Sequence, residues 1–317
     1  MKEIRITQIE GFKIGHYTDK INGTGLSVVL AEEGAICGVN VRGGGPATRE
    51  TDALKSQNIV ELVHGIFIAG GSAFGLNAAA GIMQYLEEKN IGFDVGIGKV
   101  PIVSGASIFD LAFGKNVRPG AEEGYKACLN AQKNEDLEGN IGAGTGASIG
   151  KFWGAECCMK SGLGSYAVEV GNLKLGALTV VNALGDVFDG EHMIGGLLNK
   201  EKTALGSTFD AMLESLNRED NLFKGNTSIS IILTNAELTK VQVNRLAELG
   251  HNGFARAIYP VHTSVDGDSV FAMTQNKVKV NFDILSSLAV EVIRKSIVNA
   301  VKKAKASQGL KAYEDFI

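Results

Sequence analysis

The sequence predicts a layered α/β sandwich. Three observations carry that expectation. Short β-branched runs alternate with stretches of helical period. No regular βαβ rhythm runs through the chain. Its 41 glycines fall between apolar runs with no fixed repeat, which excludes collagen and points to tight turns and close backbone approaches. A length of 317 residues allows one large α/β domain or two small ones, and 44% hydrophobic against 21% charged residues predicts a packed core.

Taken in order, residues 25–31 and 35–41 read as two strands joined by a turn at 32–34. Arg42-Gly-Gly-Gly-Pro46 breaks the pattern as a loop, and 65–70 is a strand of the buried type. A helix is expected over 74–89, where alanines, Met83 and Leu86 suit an interior face. After a glycine-rich passage at 139–150, strands are expected at 165–170 and 175–181. Residues 186–224 turn polar and read as a linker. A strand then begins at Thr227, a helix covers 238–249, and Phe271 lies in another strand. Asp283 is the expected N-cap of a last helix reaching about residue 305, with Ile284, Leu288, Val292, Ile293 and Ile297 as its buried stripe.

A net charge of −4 carries no basic footprint of a nucleic-acid binder. Lys302, Lys303 and Lys305 complement the dipole at a helix end. Cys37, Cys128, Cys157 and Cys158 form no CxxC pair and have no histidine at zinc spacing, so reduced thiols are expected. With no signal-peptide h-region and no run of about 20 apolar residues, the expectation is a soluble, cytoplasmic protein without membrane partners.

Three pattern matches fail on context. Gly146-Ala-Ser148-Ile-Gly150 fits a nucleophile elbow, but glycines precede it where a hydrophobic strand is needed. No dinucleotide or P-loop fingerprint stands between a strand and a helix. Asp266 and Asp268 offer too few oxygen ligands for a hard cation, so no metal and no cofactor is expected.

Gly225-Asn226-Thr227-Ser228 joins a polar segment to an apolar strand. One reading is an ordinary loop-to-strand junction, with threonine favoured for its β propensity. The other is a scissile bond. The Thr227 hydroxyl would attack the Asn226 carbonyl, the acyl group would move from nitrogen to oxygen, and water would open the ester. The freed α-amine would titrate near about 7.7–8.0 and serve as base to its own hydroxyl.

Arg42-Gly-Gly-Gly-Pro-Ala-Thr-Arg-Glu-Thr-Asp52, Gly70-Gly-Ser-Ala-Phe-Gly-Leu76, the run from Asn226 to Lys240, Ala255-Arg-Ala-Ile-Tyr-Pro-Val-His-Thr263 and Asp266-Gly-Asp268 together carry a family resemblance. Over nearly its whole length the chain resembles the P1 peptidase family of self-processing amidases. That family includes L-aminopeptidase/D-esterases, β-peptidyl aminopeptidases and endo-type 6-aminohexanoate-oligomer (nylon oligomer) hydrolases, and the Thr227 and Asp-Gly-Asp segments look closest to the last. The resemblance implies one domain over 1–317 with a four-layer αββα sandwich, layered like N-terminal-nucleophile hydrolases but connected differently. It implies cleavage into 1–226 and 227–317, and a homotetramer of the processed pairs. Thr227 matches the nucleophile, Lys151 a lysine beside it, and Asn182 an amide donor to the oxyanion. Asp266 and Asp268 match two carboxylates that would hold Lys151 and the new α-ammonium. Phe109 stands where some members carry a substrate-facing tyrosine, and a phenyl ring has no hydrogen to donate. The implied substrate is a linear amide oligomer or small peptide. The alternatives are an aminopeptidase and, from another class, a non-catalytic binding protein on the same fold.

Overall fold

One long strand holds the architecture together. In the computed structural model, which describes residues 1–216 and 225–317, the strand Thr24–Val41 runs through two halves of one sheet. We label it β2. Its first half pairs antiparallel with β1 (Lys13–Asp19) and β3 (Leu62–Ala69), and β3 pairs in parallel with β4 (Val103–Ser107). Its second half pairs with β8 (Ser269–Val278), which lies parallel to β7 (Ile229–Ala236). Beyond β7 come β6 (Leu173–Val180) and β5 (Leu163–Val170), both antiparallel. The two strands expected at 25–31 and 35–41 are therefore one. The turn expected at 32–34 is a slip in pairing with β3 between Leu30 and Ala35, and Gly34 suits such an irregularity within a strand.

Alternation along the strands separates three cores and so defines four layers. On β7, Ile229, Ile231 and Leu233 face a central core, while Ile232 and Ala236 face the opposite side. On β3, Ile66 and Ile68 face the same central core, and Phe67 and Ala69 point away from it. The central core is thus the seam between the two halves of the folded sheet. Outside one half pack α1 (Ala78–Glu88) and α2 (Ala121–Ala131), through Ala79, Ile82, Leu86 and Ala127. Outside the other pack α4 (Lys240–Ala255) and α5 (Phe282–Lys302), through Leu246, Phe254, Ile293 and Ile297. The order is α, β, β, α, as the resemblance implied. Each fully buried Leu or Ile contributes roughly 1.5–3 kcal/mol, so the central seam is a large share of what holds the layers together.

Several local expectations are corrected. α5 is capped by Asn281, whose side chain accepts from the amides of Asp283 and Ile284 at 2.9 and 3.1 Å; Asp283 lies in the first turn instead. Ile284 is 66% exposed, and Leu285 and Ala289 take its place in the stripe. The strand expected to begin at Thr227 begins at Ile229. The helix expected over 74–89 opens as a 3-10 turn, Ser72–Asn77. The supposed linker is largely ordered. It contains strands Asp186–Asp189 and His192–Gly195 and the helix α3 (Thr208–Glu214). Buried Asp186 holds this segment by accepting from the Leu197 amide at 2.8 Å and from the Thr208 amide and hydroxyl at 2.7 and 2.6 Å. The buried carboxylate works beside scattered apolar anchors, Val187, Ile194, Leu197, Leu198 and Ala211, whose runs are too short to show a period. The rest of that stretch, 217–224, lies outside the described residues.

Candidate active site

The parallel pairing of β7 and β8 brings the candidate residues together. Its register sets Ile229 beside Ser269 and, just before the two strands begin, bonds Gly267 N to the Asn226 carbonyl. Residues 226–228 therefore lie alongside 266–268, although the two stretches are far apart in sequence. On the other flank, β6 runs antiparallel to β7, with Val180 opposite Ile229. Two residues on, the Asn182 backbone carbonyl accepts the Thr227 amide at 2.9 Å, and the Asn182 backbone N–H donates to Ser228 Oγ at 3.3 Å.

Thr227 is 4% exposed. Its hydroxyl donates to the Asn226 carbonyl oxygen at 2.5 Å, and the Gly267 amide donates to the same oxygen at 2.8 Å. No larger residue fits at 267, since a Cβ there would lie 2.7 Å from Thr227 Oγ1.

Lys151 is anchored by its backbone, which pairs with Leu184, and by a small cluster of Phe152, Leu184, Leu197 and Ala211. Its ammonium donates to the carbonyls of Asn182 and Gly225 at 3.0 and 3.4 Å. Burial lowers its pKa to about 8, although the nearby Cys158, Asp266, Asp110 and Asp268 oppose that shift. The expectation that Asp266 and Asp268 grip Lys151 directly is not what the geometry gives. Asp266 instead accepts from the Thr263 amide and hydroxyl at 2.7 and 2.8 Å. Asp268 accepts from the Ser228 amide at 2.7 Å and from His262 Nδ1 at 2.8 Å. The carboxylates act on Lys151 through space. Burial, and then the charge of Asp268, raise the pKa of Asp266 to about 6.

Asn182 is fully buried and both ends of its side-chain amide are engaged. Nδ2 donates to the Phe109 carbonyl at 3.0 Å, and Oδ1 accepts the Ser148 amide at 3.1 Å. In the intact chain it is therefore not aimed at the Asn226 carbonyl. Phe109 follows β4, and its ring fills the space beside Gly225, whose φ is +54°. A cavity of about 560 Å³ opens from the surface to Phe109, Ser148, Lys151 and Cys158, with Phe113 and Leu310 on its walls.

Sequence reasoning assigned no role to Ser148, Ser228, His262, Gly267 or Lys160. Lys160 is fully buried and donates to the carbonyls of Gly144, Ala147 and Ser161, which fixes the glycine-rich passage before Ser148. Gly267 and His262 stood inside recognised motifs, but their roles depend on pairing between distant strands. Among the described residues, no group of three or more His, Cys, Asp or Glu side chains is placed to hold a metal. No helix there is long and apolar enough to cross a membrane.

This fold and this site belong to a protein in the class of hydrolases of peptide and amide bonds. Within it, the chain belongs to peptidase family S58, whose profile matches residues 5–314. It is 34% identical to an uncharacterized aminopeptidase of Mycobacterium tuberculosis, over 98% of this chain and 97% of that one. It is 30% identical to the 6-aminohexanoate-oligomer endohydrolase of Kocuria sp., over 92% of this chain and 84% of that one. The fold matches the L-aminopeptidase D-Ala-esterase/amidase of Ochrobactrum anthropi, described as a variant of the Ntn-hydrolase fold, with a TM-score of 0.73 at 19% identity, covering 98% and 92% of the two chains. A β-aminopeptidase of Burkholderia sp. gives a TM-score of 0.68 at 20% identity, covering 98% and 91%.

Proposed function

We propose that the chain cleaves its own Asn226–Thr227 bond and that Thr227 is then the amino-terminal nucleophile of an amide hydrolase acting on linear oligoamides or small peptides. The observation that carries this reading is the Thr227 hydroxyl held 2.5 Å from the Asn226 carbonyl oxygen while the Gly267 amide polarises that oxygen. In the processing step, Oγ1 bonds to the Asn226 carbonyl carbon and the carbon–nitrogen bond breaks. The hydroxyl proton passes to the Thr227 nitrogen, and water then splits the ester to leave a carboxyl on Asn226 and a free α-amine on Thr227. In turnover the same hydroxyl attacks a substrate amide, with the α-amine as base. On this reading Lys151 supplies positive charge to the tetrahedral intermediate. Asn182 donates to it once the Phe109 carbonyl releases its amide, and Phe109 lines the substrate cavity.

Denaturing mass spectrometry tests the proposal. Fragments ending at 226 and starting at 227 are expected from the wild type and not from Thr227→Ala. An active preparation that remains wholly full-length would sink it. A second reading, an aminopeptidase, is favoured by the name of the mycobacterial relative at 34% identity. Oligomers with blocked amino ends separate the two, because an endo-hydrolase cuts them and an aminopeptidase does not. The reading extends to a homotetramer of processed pairs in the cytoplasm. Supporting it are Phe93, Ile97 and Val100, exposed on one hairpin, and four free cysteines. Sedimentation of the processed protein as a single pair would contradict the tetramer.

A further inference from the structure

We infer that His262 is a positioning residue for both self-cleavage and turnover: it holds the Asp268 carboxylate so that the carboxylate fixes the Ser228 amide and, with it, the Thr227 hydroxyl. This inference rests on the nucleophile role proposed for Thr227.

The chain of contacts is continuous. His262 offers two donors to one oxygen of Asp268, ring Nδ1 at 2.8 Å and its own backbone amide at 3.3 Å. The other oxygen of Asp268 accepts the Ser228 amide at 2.7 Å. That amide belongs to the peptide group joining Thr227 to Ser228, so its orientation sets where the Thr227 side chain points. A carboxylate held at one oxygen alone would rotate about its terminal torsion, which is broad in aspartate. Bonds at both oxygens remove that freedom.

The ring is itself held. Phe254 stacks on it at 5.8 Å with the planes 23° apart, and His251 meets it edge-on at 4.7 Å. Both come from α4, and His251 is anchored through Nε2 to the Asn40 carbonyl at 3.0 Å. Burial lowers the pKa of His251 to about 3, so at neutral pH it packs against His262 as an uncharged ring. The backbone gives a second, independent sign. His262 has φ of +56°, a left-handed conformation that non-glycine residues seldom adopt. Such strain persists where surrounding structure imposes it, and it concentrates at functional sites. Here it directs the ring's Nδ1 and the backbone amide of one residue to the same carboxylate oxygen. His262 does not touch the reacting atoms, so its effect is on geometry.

The test refolds intact full-length wild type, His262→Ala and His262→Asn and follows cleavage at 226–227 by mass spectrometry, then measures kcat and KM on the cleaved fractions. Asparagine tolerates the left-handed conformation and carries a side-chain N–H donor. The expected result is cleavage and kcat slowed about tenfold or more in His262→Ala, KM nearly unchanged, and most of the rate restored in His262→Asn. Wild-type rates in His262→Ala, or equal impairment of the two variants, would overturn the inference. Failure of the wild type itself to cleave is a separate signature. It would show the proposed function to be wrong and would remove the basis for this inference with it.

Discussion

Thr227 and Gly267 converge on a single atom, the Asn226 carbonyl oxygen, with the hydroxyl at 2.5 Å and the amide at 2.8 Å. The parallel register of β7 and β8 creates this meeting, and it leaves no room for a side chain at 267. Gly267→Ala would put a Cβ 2.7 Å from the hydroxyl and 2.8 Å from the Gly45 carbonyl. We predict destabilisation of about 1–3 kcal/mol from overpacking. We also predict a larger loss of the proposed self-cleavage than that destabilisation accounts for, because the displaced atom is the proposed nucleophile. Denaturant titration beside a cleavage time course checks this. Cleavage unchanged in a destabilised variant would detach Gly267 from the chemistry.

The proposed self-cleavage should depend on pH through two shifted groups. Asp266 titrates at about 6 and Lys151 at about 8. Below the first value Asp266 is neutral and its charge no longer acts on the Lys151 ammonium. Above the second, Lys151 is neutral and cannot favour a developing oxyanion. The intact chain has no Thr227 α-amine to add a third ionisation, so its cleavage rate should rise through about pH 6 and fall through about pH 8. Rates measured on freshly refolded precursor from acid to alkaline pH decide this. A rate still climbing well above pH 8 would remove the ammonium role of Lys151.

Asp266→Asn should separate stability from chemistry. The carboxyl has a folded pKa of about 6 against an ordinary 3.8. Between those values the folded protein holds a proton that the unfolded chain has released. Stability from this group therefore falls as pH rises through that window, and the penalty is complete above it. The amide cannot ionise, and its oxygen can still accept from the Thr263 amide and hydroxyl. The variant should be about 1–3 kcal/mol more stable than wild type at pH 8, little changed at pH 4, and slower to cleave. Equal stability at pH 8 would mean that the buried carboxylate carries no penalty.

The layers were legible in the sequence because they depend on local pattern. Period-two runs at 229–236 and 163–180 are strands, and α5 was visible from its long apolar stripe. The stretch 186–216 was misread because its elements are short, its apolar anchors Val187, Ile194, Leu197 and Ala211 are scattered, and the polar Asp186 ties them together. At the site, the family resemblance pointed to Thr227, Lys151, Asn182, Asp266 and Asp268, and the fold gathers all five around one junction. Their partners were not readable. That Asp268 holds Ser228 and His262, rather than Lys151, depends on the register between β7 and β8, and no local periodicity encodes the register of strands distant in sequence.

Gly225 and Phe109 provide a coupling test of how the proposed scissile junction is shaped. Gly225 has φ of +54°, and a Cβ on it would come within 2.2 Å of Phe109 Cγ. Gly225→Ala therefore carries two separable costs. One is the left-handed backbone, about 1–2 kcal/mol for an L-residue, and no change elsewhere relieves it. The other is the collision with the ring, which would push on Phe109 and so on the carbonyl that accepts the Asn182 amide at 3.0 Å. Phe109→Ala removes the ring and with it only the second cost. In a double-mutant cycle, Gly225→Ala should slow cleavage strongly with Phe109 present and much less with Phe109→Ala, the two sites coupling by about 0.5–3 kcal/mol as residues in contact do. Cleavage rates of the four intact chains give that coupling directly. Additive effects would mean that the ring does not press on residue 225 in solution, and that the backbone conformation alone demands glycine before the scissile bond.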